Sequence, residues 1–173
     1  YVTLLRCFTS YEEIKKIIGK KSLEKVLELN WKYKIREIES SKNYDFLVGW
    51  TMEPSISSYM IDKVKKNINK EYLEKTELSV LNLKNAIETE NKTEIRKNIN
   101  RISSLLMELD SSIYSNKLAE LVNIAENFDA CAKSSGAGGG DCGIAISFNE
   151  ADSKSIVECW EKSGIELLYS EKL

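Results

Sequence analysis

The sequence predicts an α+β domain in which a mostly antiparallel sheet carries a block of several helices on one face. Three observations support this class. Strand-like runs occur near both ends of the 173-residue chain. The stretch from Ser57 to Phe128 has helical spacing throughout. Five of the eight glycines fall in residues 132–143, between two further strand-like runs, which is typical of a tight loop between ordered elements.

The first fifty residues mix strand and helix patterns. They are predicted to contain, in order, a strand at Tyr1–Phe8, helices at 11–18 and Ser22–Leu29, and strands at Tyr33–Ile38 and Tyr44–Thr51. Apolar and polar residues alternate in the fourth element, as in a half-exposed strand. The fifth element is almost wholly apolar, which favours a more central strand.

The central stretch indicates four consecutive helices, because its apolar residues recur every three or four positions. The four stripes cover Tyr59–Ile68, Tyr72–Ile87, Ile95–Leu109 and Leu118–Phe128. The polar residues 88–92 are predicted to form the turn between the second and third helices. Such stripes are typical of core contacts or helix-pairing seams.

Strand signals return after the helical block. Strands are predicted at Ala130–Lys133 and Gly143–Phe148, on either side of the glycine-rich segment. A helix follows at Glu150–Ser163, and Gly164 is placed to end it in a left-handed conformation. A closing strand is predicted at Ile165–Tyr169. The whole chain, residues 1–173, is expected to form one domain.

Composition excludes several classes of function. The chain has no histidine, which removes histidine-based nucleophile activation and most zinc sites. A formal net charge of −2 gives no broad basic surface, so we expect no nucleic-acid partner. No apolar run approaches the roughly 18 residues that span a bilayer, and no signal peptide is visible. The four cysteines lack metal-ligand spacing and are read as reduced thiols of a cytoplasmic protein.

The glycine-rich segment is a candidate phosphate-binding loop. Successive backbone N–H groups in such a turn can point into one concavity and bind an anion, and a lysine and two serines lie beside them. The candidate residues are Lys133, Ser134, Ser135, Gly136, Ala137, Gly138, Gly139, Gly140 and Asp141. The pattern is neither a Walker A loop nor a dinucleotide fingerprint. A plain glycine-rich hairpin is the alternative.

Two motifs and the tail resemble the GHMP kinase superfamily and, within it, the bacterial phosphomevalonate kinases. Residues 132–143 match the third conserved motif of that family over its full span. The segment Val48–Thr51, followed by Pro54 and the pair Ser57-Ser58, is similar to a second motif, and Trp160–Tyr169 resembles the tail. One departure is that Met52, Glu53 and Ile56 stand where many relatives have small residues.

The resemblance implies the C-terminal fold of GHMP kinases, which is of the ferredoxin-like type. It also implies that the chain is the C-terminal half of an enzyme whose missing N-terminal domain carries the ATP loop and the catalytic acid. This acidic residue, which is expected to act as the catalytic base, would lie upstream of Tyr1. The complete enzyme would use ATP and Mg²⁺ to phosphorylate a phosphorylated small molecule, 5-phosphomevalonate. This half alone is expected to be inactive and to bind no cofactor tightly. A homo-oligomer is a candidate assembly.

The resemblance further implies roles for particular residues. Ser134–Gly140 would offer amide donors near the transferring phosphoryl group, and Lys133 would add positive charge. Asp141 is interpreted as pinning the loop. Ser57 and Ser58 would receive the acceptor phosphate at a helix start, and an ordinary N-cap is the alternative.

Three alternatives to a phosphomevalonate kinase stay open at this point. The chain could belong to a mevalonate kinase or a homoserine kinase, which are other small-molecule kinases of the superfamily. It could also be a non-catalytic phosphate-binding or interaction module.

Overall fold

A computed structural model describes residues 2–4, 34–36 and 43–173. The chain divides into two compact units, residues 1–39 and 40–173. Nearly all of the described residues belong to the second unit, which contains the helical block and the glycine-rich segment.

The first unit contains a short antiparallel strand pair. Strand β1 (Val2–Leu4) pairs with strand β2 (Lys34–Arg36), with Thr3 opposite Ile35. Both strands fall inside predicted strands. The two helices predicted at 11–18 and Ser22–Leu29 lie outside the described residues.

The second unit has the predicted order of one strand, a helical block, a strand pair, a helix and a final strand. Its elements are β3 (Asp45–Trp50), α1 (Ser57–Val64), α2 (Lys70–Glu88), α3 (Lys92–Leu109), α4 (Asn116–Glu126), β4 (Ala130–Ser134), β5 (Cys142–Ser147), α5 (Glu150–Lys162) and β6 (Glu166–Lys172). Single 3-10 turns follow α1 at Lys65–Asn67 and precede α4 at Ser111–Ile113. The predicted α+β class and its antiparallel sheet are confirmed.

Side chains and glycine fix the helix ends. Asn69, Asn91, Ser115 and Asn149 each occupy an N-cap and accept a hydrogen bond from a backbone N–H of the first turn. Gly164 follows α5 with a φ of +71°, as the sequence predicts. Four of the helices therefore start, and α5 ends, at locally encoded signals.

The sheet has four strands in the order β4-β5-β3-β6, and every neighbouring pair is antiparallel. The central pair, β3 and β5, runs in register from Asp45 opposite Ser147 to Trp50 opposite Cys142. A shift in register interrupts the β3–β6 pairing between Val48 and Gly49. Because β4 and β5 are adjacent and antiparallel, the glycine-rich segment connects them at one end of the strand pair.

One hydrophobic core lies between the sheet and helices α4 and α5. Inward residues of the strands, such as Leu47 and Ala145, pack against Leu121 and Ile156 of these helices. Trp160 is completely buried there, and its indole Nε1 donates a hydrogen bond to the carbonyl oxygen of Leu121 at 3.0 Å. Helices α4 and α5 thus cover one face of the sheet.

A glycine pair brings the same helices close to the backbone of the sheet. Gly49 and Gly143 are directly opposite each other in the β3–β5 ladder. A Cβ on Gly49 would lie 2.9 Å from the Trp160 ring, and a Cβ on Gly143 would lie 2.6 Å from Leu121 Cδ2. We call this side-chain-free spot the glycine dimple, since the indole and the leucine occupy it.

A second core forms where α2 and α3 meet β4 and β5. Ile95 and Ile99 of α3 pack with Cys131 and Ile146, which alternate along the strands with the residues of the first core. Helices α2 and α3 therefore cover the opposite face of the sheet from α4 and α5. No helix in residues 43–173 is both long enough and apolar enough to cross a bilayer.

Candidate functional site

The loop between β4 and β5 turns through left-handed backbone at several consecutive positions. The positive φ angles are +72° at Gly136, +75° at Gly138, +81° at Gly139, +143° at Gly140 and +55° at Asp141. An L side chain is strained in this region, whereas glycine enters it freely. The concentration of glycine in the sequence therefore has a conformational cause.

The loop is also packed against other backbone. A Cβ on Gly138 would lie 2.5 Å from both the carbonyl oxygen and Cγ2 of Ile113, and a Cβ on Gly140 would lie 2.6 Å from the carbonyl oxygen of Glu53. Ile113 ends the 3-10 turn before α4, and Glu53 lies between β3 and α1. Glycine is thus required at these two points for close approach as well as for conformation.

Asp141 fastens the loop to the segment that follows β3. Both the backbone N–H and the Oγ1 hydroxyl of buried Thr51 donate to the Asp141 carbonyl oxygen, at 2.8 and 2.9 Å. The Asp141 N–H donates to the Glu53 carbonyl oxygen at 2.7 Å. Its carboxylate Oδ1 accepts from the Ser55 N–H at 3.3 Å. These contacts hold Asp141 against residues 51–55, as expected for a residue that pins the loop.

Several loop amides form no hydrogen bond within the described part of the chain. The N–H groups of Ser135, Gly139 and Asp141 donate to backbone carbonyls. Four other loop N–H groups have no hydrogen-bond acceptor within the described part of the chain, namely those of Gly136, Ala137, Gly138 and Gly140. Gly138 and Gly140 are buried, whereas Gly136 is exposed and Ala137 partly exposed. The loop therefore combines a braced backbone with unpaired donors at an accessible position, as an anion-binding turn requires.

Helix α1 begins beside this loop without a side-chain cap. Its N-cap residue is Ile56, in extended backbone, and no side chain accepts from the first turn. Ser57 and Ser58 are the first two helical residues, and both are exposed. The alternative of a serine N-cap is therefore wrong, because an isoleucine holds that position. The first-turn N–H groups and two hydroxyls stay open to a ligand.

The two predicted site segments meet at Gly139. A Cβ there would lie 2.9 Å from the sulfur of Met60 in α1 and 3.1 Å from Ser55 Oγ. The structure thus brings the glycine loop and the start of α1 together.

Lys133 and Ser134 lie at the start of the loop, in β4. The Lys133 Nζ donates to the Ser134 carbonyl oxygen at 2.5 Å, and burial lowers the pKa of this lysine. It forms no salt bridge with an acidic side chain of the described region. Ser134 is fully buried, and its hydroxyl has no partner among the described groups. This position does not support the predicted phosphate contact of the Ser134 hydroxyl, whereas Ser135 is partly exposed.

Sequence reasoning missed Ser55. Its Oγ donates to the Gly138 carbonyl oxygen at 2.6 Å across a sequence separation of 83 residues. No local pattern signals such a long-range contact. The described residues contain no group of three or more acidic or cysteine side chains able to hold a metal ion.

Comparison with known proteins identifies the family. Residues 83–166 match the family model described as GHMP kinases C terminal. The chain carries a GHMP kinase C-terminal domain. The match begins in α2 and ends at the start of β6, so it includes the glycine loop.

The GHMP domain has relatives among characterised enzymes. It is 30% identical over 156 residues to a phosphomevalonate kinase of Streptomyces sp. (strain CL190), a match that covers 83% of this chain and 42% of the relative. Among solved structures it is similar to Streptococcus pneumoniae phosphomevalonate kinase in complex with phosphomevalonate and AMPPNP, at 38% identity and a TM-score of 0.85. That match covers 94% of this chain and 49% of the other.

A mevalonate kinase of Methanococcus jannaschii is a more distant structural relative. The identity is 26% and the TM-score 0.68, with 83% of this chain and 45% of the other covered. The chain therefore spans about half the length of the relatives that it matches. Kinase chemistry is common to all three.

Proposed function

We propose that the full-length natural protein containing this chain is an ATP-dependent phosphomevalonate kinase. It moves the γ-phosphoryl group of ATP onto the phosphate of 5-phosphomevalonate and forms the diphosphate, a step toward isoprenoid precursors. The Streptomyces relative and the ligands of the Streptococcus complex support this substrate pair. The free thiols of Cys131, Cys142 and Cys159 fit the expected cytoplasmic location.

The observation that carries the proposal is the meeting of two sets of unoccupied donors. Phosphoryl transfer depends mainly on positioning and on neutralising charge around the phosphoryl group. In this proposal the unpaired loop amides, of which those of Gly136 and Ala137 are the more accessible, serve the ATP side. On the acceptor side, the uncapped first turn of α1 offers N–H groups together with the hydroxyls of Ser57 and Ser58. Contact between Gly139 and Met60 joins the glycine loop to α1 and supports this arrangement.

Lys133 supplies positive charge next to the loop in this proposal. Burial lowers its pKa because an ammonium loses hydration without gaining a carboxylate partner in the described region. A phosphate bound nearby would compensate for that loss and favour the protonated lysine. Ligand binding and protonation of Lys133 are therefore expected to support each other.

The rest of the protein would complete the site. The catalytic base and the loop that encloses ATP are expected in the N-terminal kinase domain that the resemblance implies. GHMP kinases use Mg²⁺, but the described residues do not offer a cluster that fits a metal ion. We therefore assign no magnesium ligand to this chain and derive no step through the metal.

The proposal is tested by offering the purified full-length protein ATP and one of three acceptors: phosphomevalonate, mevalonate or homoserine. We expect turnover with phosphomevalonate. We expect Gly138→Val to lower kcat by at least about 100-fold, because its Cβ meets the Ile113 backbone at 2.5 Å and displaces the loop. Ser155→Ala, an exposed substitution on α5, serves as the control and keeps wild-type turnover.

Three results would contradict the proposal. Preference for mevalonate or homoserine would assign the protein to another GHMP kinase. Phosphate binding without any transfer would favour a non-catalytic module. Unchanged turnover in a folded Gly138→Val protein would remove the loop from the active site.

A further inference from the structure

The peptide between Gly138 and Gly139 is held at both of its polar groups. Its carbonyl oxygen, on Gly138, accepts a hydrogen bond from Ser55 Oγ at 2.6 Å. Its N–H, on Gly139, donates to the Ile113 carbonyl oxygen at 2.8 Å. The two anchors come from distant parts of the chain, one before α1 and the other before α4.

This peptide needs anchoring because glycine flanks it on both sides. Both glycines have positive φ, at +75° and +81°, and neither carries a Cβ that would oppose rotation. A half-turn of the peptide plane would exchange the directions of its carbonyl and its amide. The Gly138 carbonyl would then point toward the Ile113 carbonyl oxygen, and both hydrogen bonds that anchor the peptide would be lost. The two anchors thus keep this part of the glycine loop in one backbone conformation.

We propose that Ser55 is a positioning residue that anchors the Gly138–Gly139 peptide and so holds the glycine loop in the conformation on which the proposed phosphoryl transfer depends. Its hydroxyl holds the carbonyl, while its N–H donates to Asp141 Oδ1 at 3.3 Å. Ser55 also lies two residues before Ser57, so it links the donor loop to the start of α1. The inference rests on the proposed kinase function and adds to it a residue that couples the two ligand sites.

The test uses Ser55→Ala, which removes the hydroxyl, and Ser55→Thr, which keeps it, in the full-length protein. Loss of one hydrogen bond that orients a catalytic group corresponds to about a tenfold effect. We expect Ser55→Ala to lower kcat about tenfold, with KM for phosphomevalonate changed less than about twofold. Ser55→Thr restores kcat to within about threefold. The matched control is Ser155→Ala, whose hydroxyl also donates to a backbone carbonyl but lies in α5.

Amide exchange gives a readout that does not depend on activity. In Ser55→Ala we expect the Gly139 N–H to exchange about tenfold faster, measured by NMR, while the buried amides of β5 keep their rates. A purely structural role for Ser55 would accelerate exchange throughout the domain and leave the kcat-to-KM pattern unchanged.

The inference is overturned if Ser55→Ala retains wild-type kcat, or if Gly139 exchange does not change. If Gly138→Val is inactive at the same time, the proposed function survives that failure. If the wild-type protein does not phosphorylate phosphomevalonate, the proposed function fails. The exchange rate of Gly139 still decides whether Ser55 anchors the peptide.

Discussion

Two alanine substitutions in the glycine loop separate conformational strain from steric exclusion. Gly136 and Gly138 have nearly equal φ angles, +72° and +75°. A Cβ on Gly136 meets nothing within 4 Å, whereas a Cβ on Gly138 lies 2.5 Å from the Ile113 backbone. Gly136→Ala therefore introduces strain alone, and Gly138→Ala introduces the same strain plus a clash with atoms that cannot rotate away.

General values for backbone strain and for overpacking give the expected size of both effects. A non-glycine residue in left-handed backbone costs about 1 kcal/mol of unfolding free energy. The forced contact at Gly138 adds about 1–3 kcal/mol, as in other overpacked sites. We therefore expect Gly136→Ala to lose about 1 kcal/mol and Gly138→Ala about 2–4 kcal/mol. At about 3 °C per kcal/mol for a chain of this size, the Tm values fall by about 3 °C and 6–12 °C.

Differential scanning calorimetry of the two variants beside the wild-type chain measures the difference. Both variants must unfold with wild-type cooperativity for the comparison to hold. Equal losses of Tm would refute the reasoning, because they would show that the contact with Ile113 adds nothing to the strain. A larger loss in Gly136→Ala would contradict the geometry of the loop.

Two further predictions concern the buried cores. Trp160→Phe should lower the unfolding free energy by about 2–4 kcal/mol in urea titrations. The change leaves the Leu121 carbonyl oxygen without its donor and opens a void beside Gly49. A loss below about 1 kcal/mol would contradict this packing. Burial raises the pKa of the Cys131 thiol to about 12 from 9.0, so the unfolded thiol ionises first and stability falls as pH rises from about 9 to 12. Cys131→Ala should flatten that fall while Cys159→Ala does not; equal alkaline profiles would disprove it.

The regular elements were predictable because their signals are local. Ile95, Ile99 and Ile102 recur at helical spacing in the sequence, and all three are buried in α3. The asparagine and serine N-caps also lie next to the turns that they cap. The glycine loop was recognisable for the same reason, since positive φ selects glycine position by position.

The fine structure of the candidate site was not predictable, because its partners are distant in sequence. Ser134 looks like a loop residue, but β4 extends through it since it pairs with Gly143, and its side chain is therefore buried. Ile56 holds the N-cap of α1 although two serines follow it. The Ser55–Gly138 contact is visible only after the chain has folded.

The glycine dimple has a consequence for how this chain can vary. Gly143 lies two residues beyond Asp141, at the point where β5 leaves the glycine loop. The Trp160 ring and Leu121 therefore pack against the backbone close to that point. A bulkier residue at position 49 or 143 would lift α4 or α5 and tilt the first residues of β5. The side chain at position 160 therefore affects the alignment of the glycine loop through Gly49 and β5. Substitutions at positions 49, 143 and 160 should therefore be tolerated only when they leave the glycine loop in place.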